Sequence, residues 1–326
     1  MAHKDRIAVI LPVHNRREIT LACLRQLQGL KAGAFIYDVI VVDDGSTDGT
    51  SEAVSRDFPG AVLLRGDGNL WWAGGVNKGM KYALDNDYDF VYIINDDIEM
   101  NPESLQILYR TLKKIPYSVC SSVIIDRIHR NFILYAGYNY SGLFKKLKSP
   151  LRGRYLEAFR GKILDVDCLS TKSVLIPMEV VRDVGFLDAE HFPHGISDYD
   201  YLLRVKSRGY RLLVNMDSRI YSGESGSNIH NLILNKSVGG IWTTLRSPKY
   251  RKATRAYYHL FTSRSGLLWG RLRFAYHMLP YFFWLTLKIL LPKPVLKKIL
   301  VKTGRIRLDE ADYRVEGEST DDDIRI

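Results

Sequence analysis

"IAVILPVHNRREITLACLRQLQGLKAGAFIYDVIVVDDGSTDGT", residues 7–50, holds the pattern on which the fold turns. Residues 7–13 are a short, nearly unbroken apolar run, which predicts a strand buried on both faces. Residues 18–30 place apolar side chains at helical spacing, with Gly29 near the end, and predict a helix. Residues 37–44 repeat the strand pattern. The alternation continues with helix 50–58, strand 61–66, helix 76–86, strand 89–95 and helix 101–114. In the last of these, Asn101 is expected as the cap and Pro102 at the first helical position. Strands and helices in this order predict an α/β fold: a mostly parallel central sheet with helices on both faces.

Ligands bind such sheets outside the carboxyl ends of the strands. Four polar clusters fall there: His14-Asn15-Arg16, Asp43-Asp44-Gly45-Ser46, the loop 66–75 with Trp71 and Trp72, and Asn95-Asp96-Asp97. The adjacent carboxylates of the last cluster repel each other. A divalent cation carrying an anionic ligand relieves that repulsion, because Mg²⁺ or Mn²⁺ takes one or two carboxylates and completes its shell with phosphate oxygens and water. The alternative is a solvated turn in which Asp97 or Asn101 caps the next helix. The functional reading of residues 43–48 gives one of its carboxylates to a nucleobase N–H; a tight turn at Gly45 with Asp48 as a helix cap is the plainer reading. Residues 74–79 read as an anion cradle at a helix start, with Lys78 adding charge. Trp71 and Trp72 are platforms for a sugar or base, or packing residues.

After residue 117 the expected elements are strands 118–126 and 165–177, a short helix 178–185, a helix 197–209, and short strands 210–215 and 218–222. Ser197 and Asp200 fit a capping box, and Asp200 can pair with Arg204 one turn on. That leaves Asp198 at the first turn without a required structural task, as a candidate general base. His191 and His194 lie just before it. The turn-rich "SGESGSN" suggests a boundary. The expected organisation is a catalytic domain 1–230, a basic aromatic helical region 231–307, and an acidic tail 308–326 with little to bury, expected to be disordered.

The chain has 326 residues, is 46% hydrophobic and carries a formal net charge of +11. Such a charge suits an anionic partner: nucleotide phosphates, a membrane surface or nucleic acid. No nucleic-acid recognition motif is present, so that class is set aside. Cys23, Cys120 and Cys168 show no metal-ligand spacing and fit a reducing compartment. Residues 269–300 mix aromatic with basic residues. They read either as a helix pair in a membrane interface or as an appendage packed on the catalytic domain or a second subunit. No signal peptide is expected, and the most apolar stretch, 273–292, is interrupted by His277, Pro280 and Lys288. A cytoplasmic location follows as an expectation, with peripheral attachment to the inner face of a membrane as its extension.

The ordered set "ILPVHNR" (10–16), "VIVVDDGSTDGT" (39–50), "GNLWWAGGVNKG" (68–79), "IINDDI" (93–98) and "FPHGISDYDYLLRVKSRGY" (192–210) resembles the inverting family-2 glycosyltransferases of the GT-A fold. The flavour is that of the rhamnosyltransferase-like branch, whose members often build bacterial surface polysaccharides. The resemblance implies a GT-A catalytic domain, a divalent metal (Mg or Mn), a UDP- or dTDP-sugar donor and a glycan or lipid-linked acceptor, with a homodimer left open. By the same resemblance, Pro12, Asn15, Asp44, Asn77 and Lys78 would bind the nucleotide. Asn95 and Asp97 would occupy the outer positions of the metal-binding triplet, with Asp97 the stronger ligand because Asn95 departs from the two-carboxylate form. Asp198 would be the catalytic base, and Trp71, Trp72, Asp96 and His194 would line donor and acceptor. Where many relatives carry a metal-ligating histidine, this chain reads "IYSGESGSN": Ser222 stands near that position and His230 is the next histidine. That departure implies a metal held weakly or mainly through the donor diphosphate. A nucleotidyltransferase would want a glycine-rich basic loop after the first strand, and "PVHNRRE" has no glycine. A non-catalytic sugar- or nucleotide-binding module is the other alternative, and the presence of Asp44, Asp97 and Asp198 argues against it.

Overall fold

The computed structural model describes residues 4–141, 146–193, 195–223, 239–241, 243 and 248–302. The chain divides into two compact units, Met1–Glu224 and Ser225–Ile326.

In the first unit β1 (Asp5–Val13) is the central strand, and residues 7–11 are fully buried, as an apolar strand covered on both faces must be. It lies between β2 (Phe35–Asp43) and β4 (Phe90–Ile94), parallel to both, and β3 (Val62–Arg65) extends the parallel set beyond β2. On the other side β11 (Ser173–Pro177) runs antiparallel between β4 and β6 (Ser118–Asp126). β12 (Arg211–Ser222) pairs parallel with β6, and β10 (Ile163–Val166) closes that edge antiparallel to β12. The sheet path is β10-β12-β6-β11-β4-β1-β2-β3, with β5 (Glu99–Met100) on β12 and β7 (Ile133–Tyr135) on β6. A separate antiparallel pair joins β8 (Asn139–Ser141) and β9 (Lys146–Lys148).

Helices cover both faces. On one, Ile7, Val9 and Leu11 share a core with Leu21, Leu24 and Leu27 of α1 (Arg17–Gln28) and Leu105, Leu108 and Leu112 of α4 (Ser104–Lys114). On the other, α3 (Trp71–Asp85) lies directly on β1. A Cβ added at Gly79 would meet Ile10 Cγ2 at 2.5 Å, and one at Gly75 would meet Pro12 Cβ at 3.1 Å. Glycine at both positions lets helix and strand approach this closely. The remaining helices of this unit are α2 (Thr50–Asp57), α5 (Met178–Val184) and α6 (Ser197–Ser207).

Several expected elements change form. The span 165–177 is two strands, β10 and β11, joined by a loop 167–172 that carries site residues. The expected strands 210–215 and 218–222 are one strand, β12, with a bulge between Asn215 and Arg219. There Asn215 Oδ1 accepts the Asp217 N–H at 2.9 Å, which turns the chain locally without ending it. α4 starts at Ser104, and Asn101 Oδ1 instead accepts the Glu103 N–H at 2.9 Å in the preceding turn.

The second unit contains α7 (Pro248–Ser265), α8 (Leu267–Leu290) and α9 (Lys293–Lys302). Gly266, at φ +71°, makes the turn between the first two. The acidic tail 308–326 lies outside the described residues.

Candidate active site

The carboxyl ends of β1 and β2 are tied by short polar bonds. His14 Nδ1 lies 2.6 Å from the Asp44 carbonyl. The Asn15 N–H donates to Ser46 Oγ at 2.7 Å, and Asn15 Oδ1 accepts the Thr47 N–H at 2.7 Å. Asn15 adopts φ +50° to do so. Its side chain thus joins the turns that follow β1 and β2. Asp44 is buried, and its carboxylate accepts three backbone N–H groups: Gly68 at 2.9 Å and Leu70 at 3.2 Å on Oδ1, and Trp71 at 2.9 Å on Oδ2. A carboxylate offers about four acceptor sites, so one remains. Pro12 is half-buried under Gly75.

The cradle expected over residues 74–79 does not form as a helix start. α3 begins five residues earlier than the predicted helix, at Trp71 with φ +56°, because Asp44 collects the N–H groups of the loop and of Trp71. Gly74 N–H is already bonded within the first turn, to Leu70 O at 3.0 Å. Lys78 is exposed and donates to the Arg65 carbonyl. Asn77 is spent on structure: Nδ2 donates to Leu187 O at 2.8 Å and Oδ1 accepts Leu187 N–H at 2.9 Å. Trp71 and Trp72 are both half-buried at the helix start.

The 95–97 cluster is divided. Asp96 is buried, with Arg16 Nη1 at 3.2 Å and Thr20 Oγ1 donating at 3.3 Å. Burial raises its pKa to about 6, against the pull of Arg16. Asn95 Oδ1 and Asp97 Oδ1 are buried acceptors with no hydrogen-bond partner among the described residues. Leaving such an acceptor unsatisfied costs about 1–3 kcal/mol. Two orphaned oxygens flanking the triplet are the donor set a hard divalent cation takes, so these residues fit a metal. Lys172 Nζ lies 3.8 Å from Asp97 Oδ2 and donates to Ser222 Oγ at 3.0 Å. Ser222 itself is buried. An ammonium therefore stands between Asp97 and the residue nearest the expected histidine position. His230 is outside the described residues.

α6 begins after Ile196, a β-branched residue at φ +67°. The capping box is absent: Ser197 lies inside the first turn and its buried Oγ has no partner among the described residues. The Asp200–Arg204 pair forms at 2.9 Å, and Arg204 also donates to Val184 O at 3.1 Å and Phe186 O at 2.7 Å. Asp198 is half-buried, and desolvation raises its pKa to about 6 although the backbone N–H groups of Tyr199, at 2.9 Å, and Thr171 favour its ionised form. Beside it Tyr199 Oη donates to Tyr138 Oη at 2.9 Å, and the Tyr138 ring packs on Tyr135 with centroids 4.7 Å apart. His191 sits against Asp188 at 2.8 Å. His194 lies outside the described residues.

Short bonded paths bring the three acids to one edge. The loop 167–172 reaches Asp198 through the Thr171 backbone and Asp97 through Lys172. The start of α3, held by Asp44, receives the approach to α6 through the Ala73 N–H to Pro193 O bond at 3.2 Å. Three of the five non-glycine residues with positive φ among the described residues, Asn15, Trp71 and Ile196, stand along this edge. Such conformations persist where surrounding structure enforces them, and they cluster at functional sites.

Residues 8–177 match the model of glycosyl transferase family 2. The chain belongs to that family. An uncharacterized protein of Methanocaldococcus jannaschii is 26% identical over 227 residues, which are 68% of this chain and 90% of that protein. The undecaprenyl-phosphate 4-deoxy-4-formamido-L-arabinose transferase of Sodalis glossinidius is 25% identical over 49% of this chain and 51% of its own. Among solved structures, the mannosyltransferase PcManGT from Pyrobaculum calidifontis, in complex with GDP-Man and Mn²⁺, shares the fold at a TM-score of 0.52 with 16% identity, over 92% of this chain and 87% of that one. The α/β sheet of this family 2 glycosyltransferase is therefore the GT-A architecture, and its chemistry is glycosyl transfer from a nucleotide sugar.

Sequence reasoning missed Lys172, Thr171, Tyr138 and Tyr199. None has a local signal: the first two sit in what reads as the middle of a strand, and the tyrosines matter only through the fold.

Proposed function

We propose that this family 2 glycosyltransferase inverts the anomeric centre, moving a hexosyl or deoxyhexosyl group from a UDP- or dTDP-sugar to the hydroxyl of a glycan or lipid-linked acceptor in cell-surface glycan synthesis. The observation that carries this reading is Asp198: a carboxylate at a helix start on the site edge, with its pKa raised to about 6, poised as a base near neutral pH. As the acceptor oxygen attacks the anomeric carbon from the face opposite the leaving group, Asp198 takes the hydroxyl proton. The new C–O bond forms while the bond to the diphosphate breaks, and the diphosphate leaves with the electron pair.

Asn95 and Asp97 would hold a divalent cation, whose chemistry when bound is Lewis-acid stabilisation of the departing diphosphate. Lys172 adds a fixed positive charge beside Asp97, the kind of preorganised group that steadies charge developing on phosphate oxygens. Asp44 has one acceptor site left after its three backbone bonds, which matches a uracil or thymine ring with its single imide N–H. The Sodalis relative's name couples sugar transfer to undecaprenyl phosphate, which supports a lipid-linked acceptor and a place at the inner face of a membrane.

The test is Asp198→Asn. Donor affinity should stay within about two-fold while turnover falls by about 10²–10⁴. Near wild-type transfer by that variant would refute the assignment.

A further inference from the structure

The second unit carries a surface that sugar transfer does not explain. Between residues 239 and 302 the sequence has thirteen Lys or Arg residues and no Asp or Glu. That exceeds the +11 of the whole chain, so the remainder is slightly acidic. Within this unit α8 has two unlike faces. One packs against α7: the Tyr257 and His277 rings are 4.4 Å apart, Tyr258 and Phe274 are 5.4 Å apart, and a Cβ at Gly270 would come within 2.4 Å of Thr262 Cα. The other face is solvent-exposed along its length. Leu268 (72% exposed), Leu272, Tyr276, Leu279, Phe282 (61%), Phe283, Ile289 and Leu290 (69%) recur at helical spacing down one side. A helix of this length runs about 36 Å. An exposed apolar stripe of that extent marks an interaction site rather than an ordinary soluble surface.

We propose that the outer face of α8 docks in the plane of an anionic lipid bilayer, with the basic residues of α7, α8 and α9 meeting the headgroups. Charge decides the occupant. A stripe covered by a second copy of the chain would bring together two units that each carry a formal charge of +10, which like-charge repulsion opposes. An anionic lipid surface supplies a counter-charge to the basic 239–302 segment along with an apolar layer for Leu, Phe and Tyr side chains. Insertion across the bilayer does not fit, because no helix among the described residues is long and apolar enough to cross a membrane. The opposite face of α8 is also occupied by α7. Docking is independent of the reaction assigned to the first unit.

The experiment is flotation of the full-length protein with vesicles of phosphatidylcholine alone or mixed with phosphatidylglycerol, repeated for Leu279→Glu combined with Phe282→Glu. Both positions are exposed, so circular dichroism should be unchanged. The wild type should float with the anionic vesicles and about ten-fold less with the neutral ones, with recovery falling as salt rises. The double variant should lose about ten-fold in recovery with anionic vesicles. Absence of flotation, equal flotation of the double variant, or a dimer by light scattering that the variant dissolves without any lipid binding would each overturn the proposal. Binding of a nucleoside diphosphate by the same preparations reports on the catalytic reading separately.

Discussion

On the proposed base role, Asp198 trades stability for reactivity. Its folded pKa, about 6, lies above the ordinary carboxylate value near 3.8. Between those two values the native state holds the proton more tightly than the unfolded chain, so stability falls as pH rises through that window, and the full penalty is present above pH 6. Asp198→Asn removes the penalty. The variant should therefore be more stable than wild type at pH 8 by about 1–2 kcal/mol, with the gap closing at pH 4, as read by chemical denaturation. With Asp198 as the proposed base, wild-type kcat/KM should rise with pH through about 6, a limb the variant should lack. Lys172 gives a second prediction at this scale. Lys172→Met should weaken nucleoside diphosphate binding about ten-fold or more in the presence of a chelator, since a charge-assisted hydrogen bond is worth roughly 1.5–3 kcal/mol. Titration calorimetry of both proteins checks this, and equal affinities would remove Lys172 from the diphosphate site.

At the scale of elements, the site depends on how α3 is seated. Gly75 and Gly79 let it lie on β1, Asp44 gathers the backbone at its start, and Asn77 on its flank holds Leu187 with two hydrogen bonds. That last contact ties the segment leading to α6 against α3, alongside the Ala73–Pro193 bond. Asn77→Ala would strand the Leu187 N–H, while the Leu187 carbonyl keeps the Ala189 N–H at 3.0 Å. It should cost about 1–2 kcal/mol in global stability and raise amide exchange selectively at Leu187, measurable by hydrogen exchange. An unprotected Leu187 amide in the wild type would contradict the tie. The strand–helix order of this half was legible because each strand is a continuous apolar run. The boundaries of α3 were not, because the helix begins where a distant carboxylate, Asp44, collects N–H groups. Nothing in "NLWWAGG" announces that partner.

For the molecule as a whole, the orphaned oxygens of Asn95 and Asp97 would, on the proposed reading, hold the cation that meets the donor diphosphate. A ligand that binds only the folded state raises apparent stability in proportion to RT ln(1 + [L]/Kd), about 2.7 kcal/mol at a hundred-fold excess over Kd. Mn²⁺ with UDP or dTDP should therefore raise the melting temperature of the full chain more than either alone. The same pair with GDP should do less, given the single acceptor site left on Asp44. An equal shift with GDP would set aside the pyrimidine reading, and no shift with any nucleotide would count against the metal-assisted donor site.

The sequence by itself determined the α/β order, the family resemblance and the placement of Asp44, Asp97 and Asp198 at strand ends or a helix start, because apolar periodicity and chain-local motifs are properties of neighbouring residues. Tertiary structure alone decided which polar side chains are engaged by other groups of the chain. Asp96 turned inward to Arg16, Asn77 and Asn15 were taken up by backbone groups, and Asp44 kept one acceptor site. Lys172 came to stand between Asp97 and Ser222. Hydrogen-bond capacity and desolvation are set by groups dozens of residues away in the chain, and those meet only when the sheet has formed.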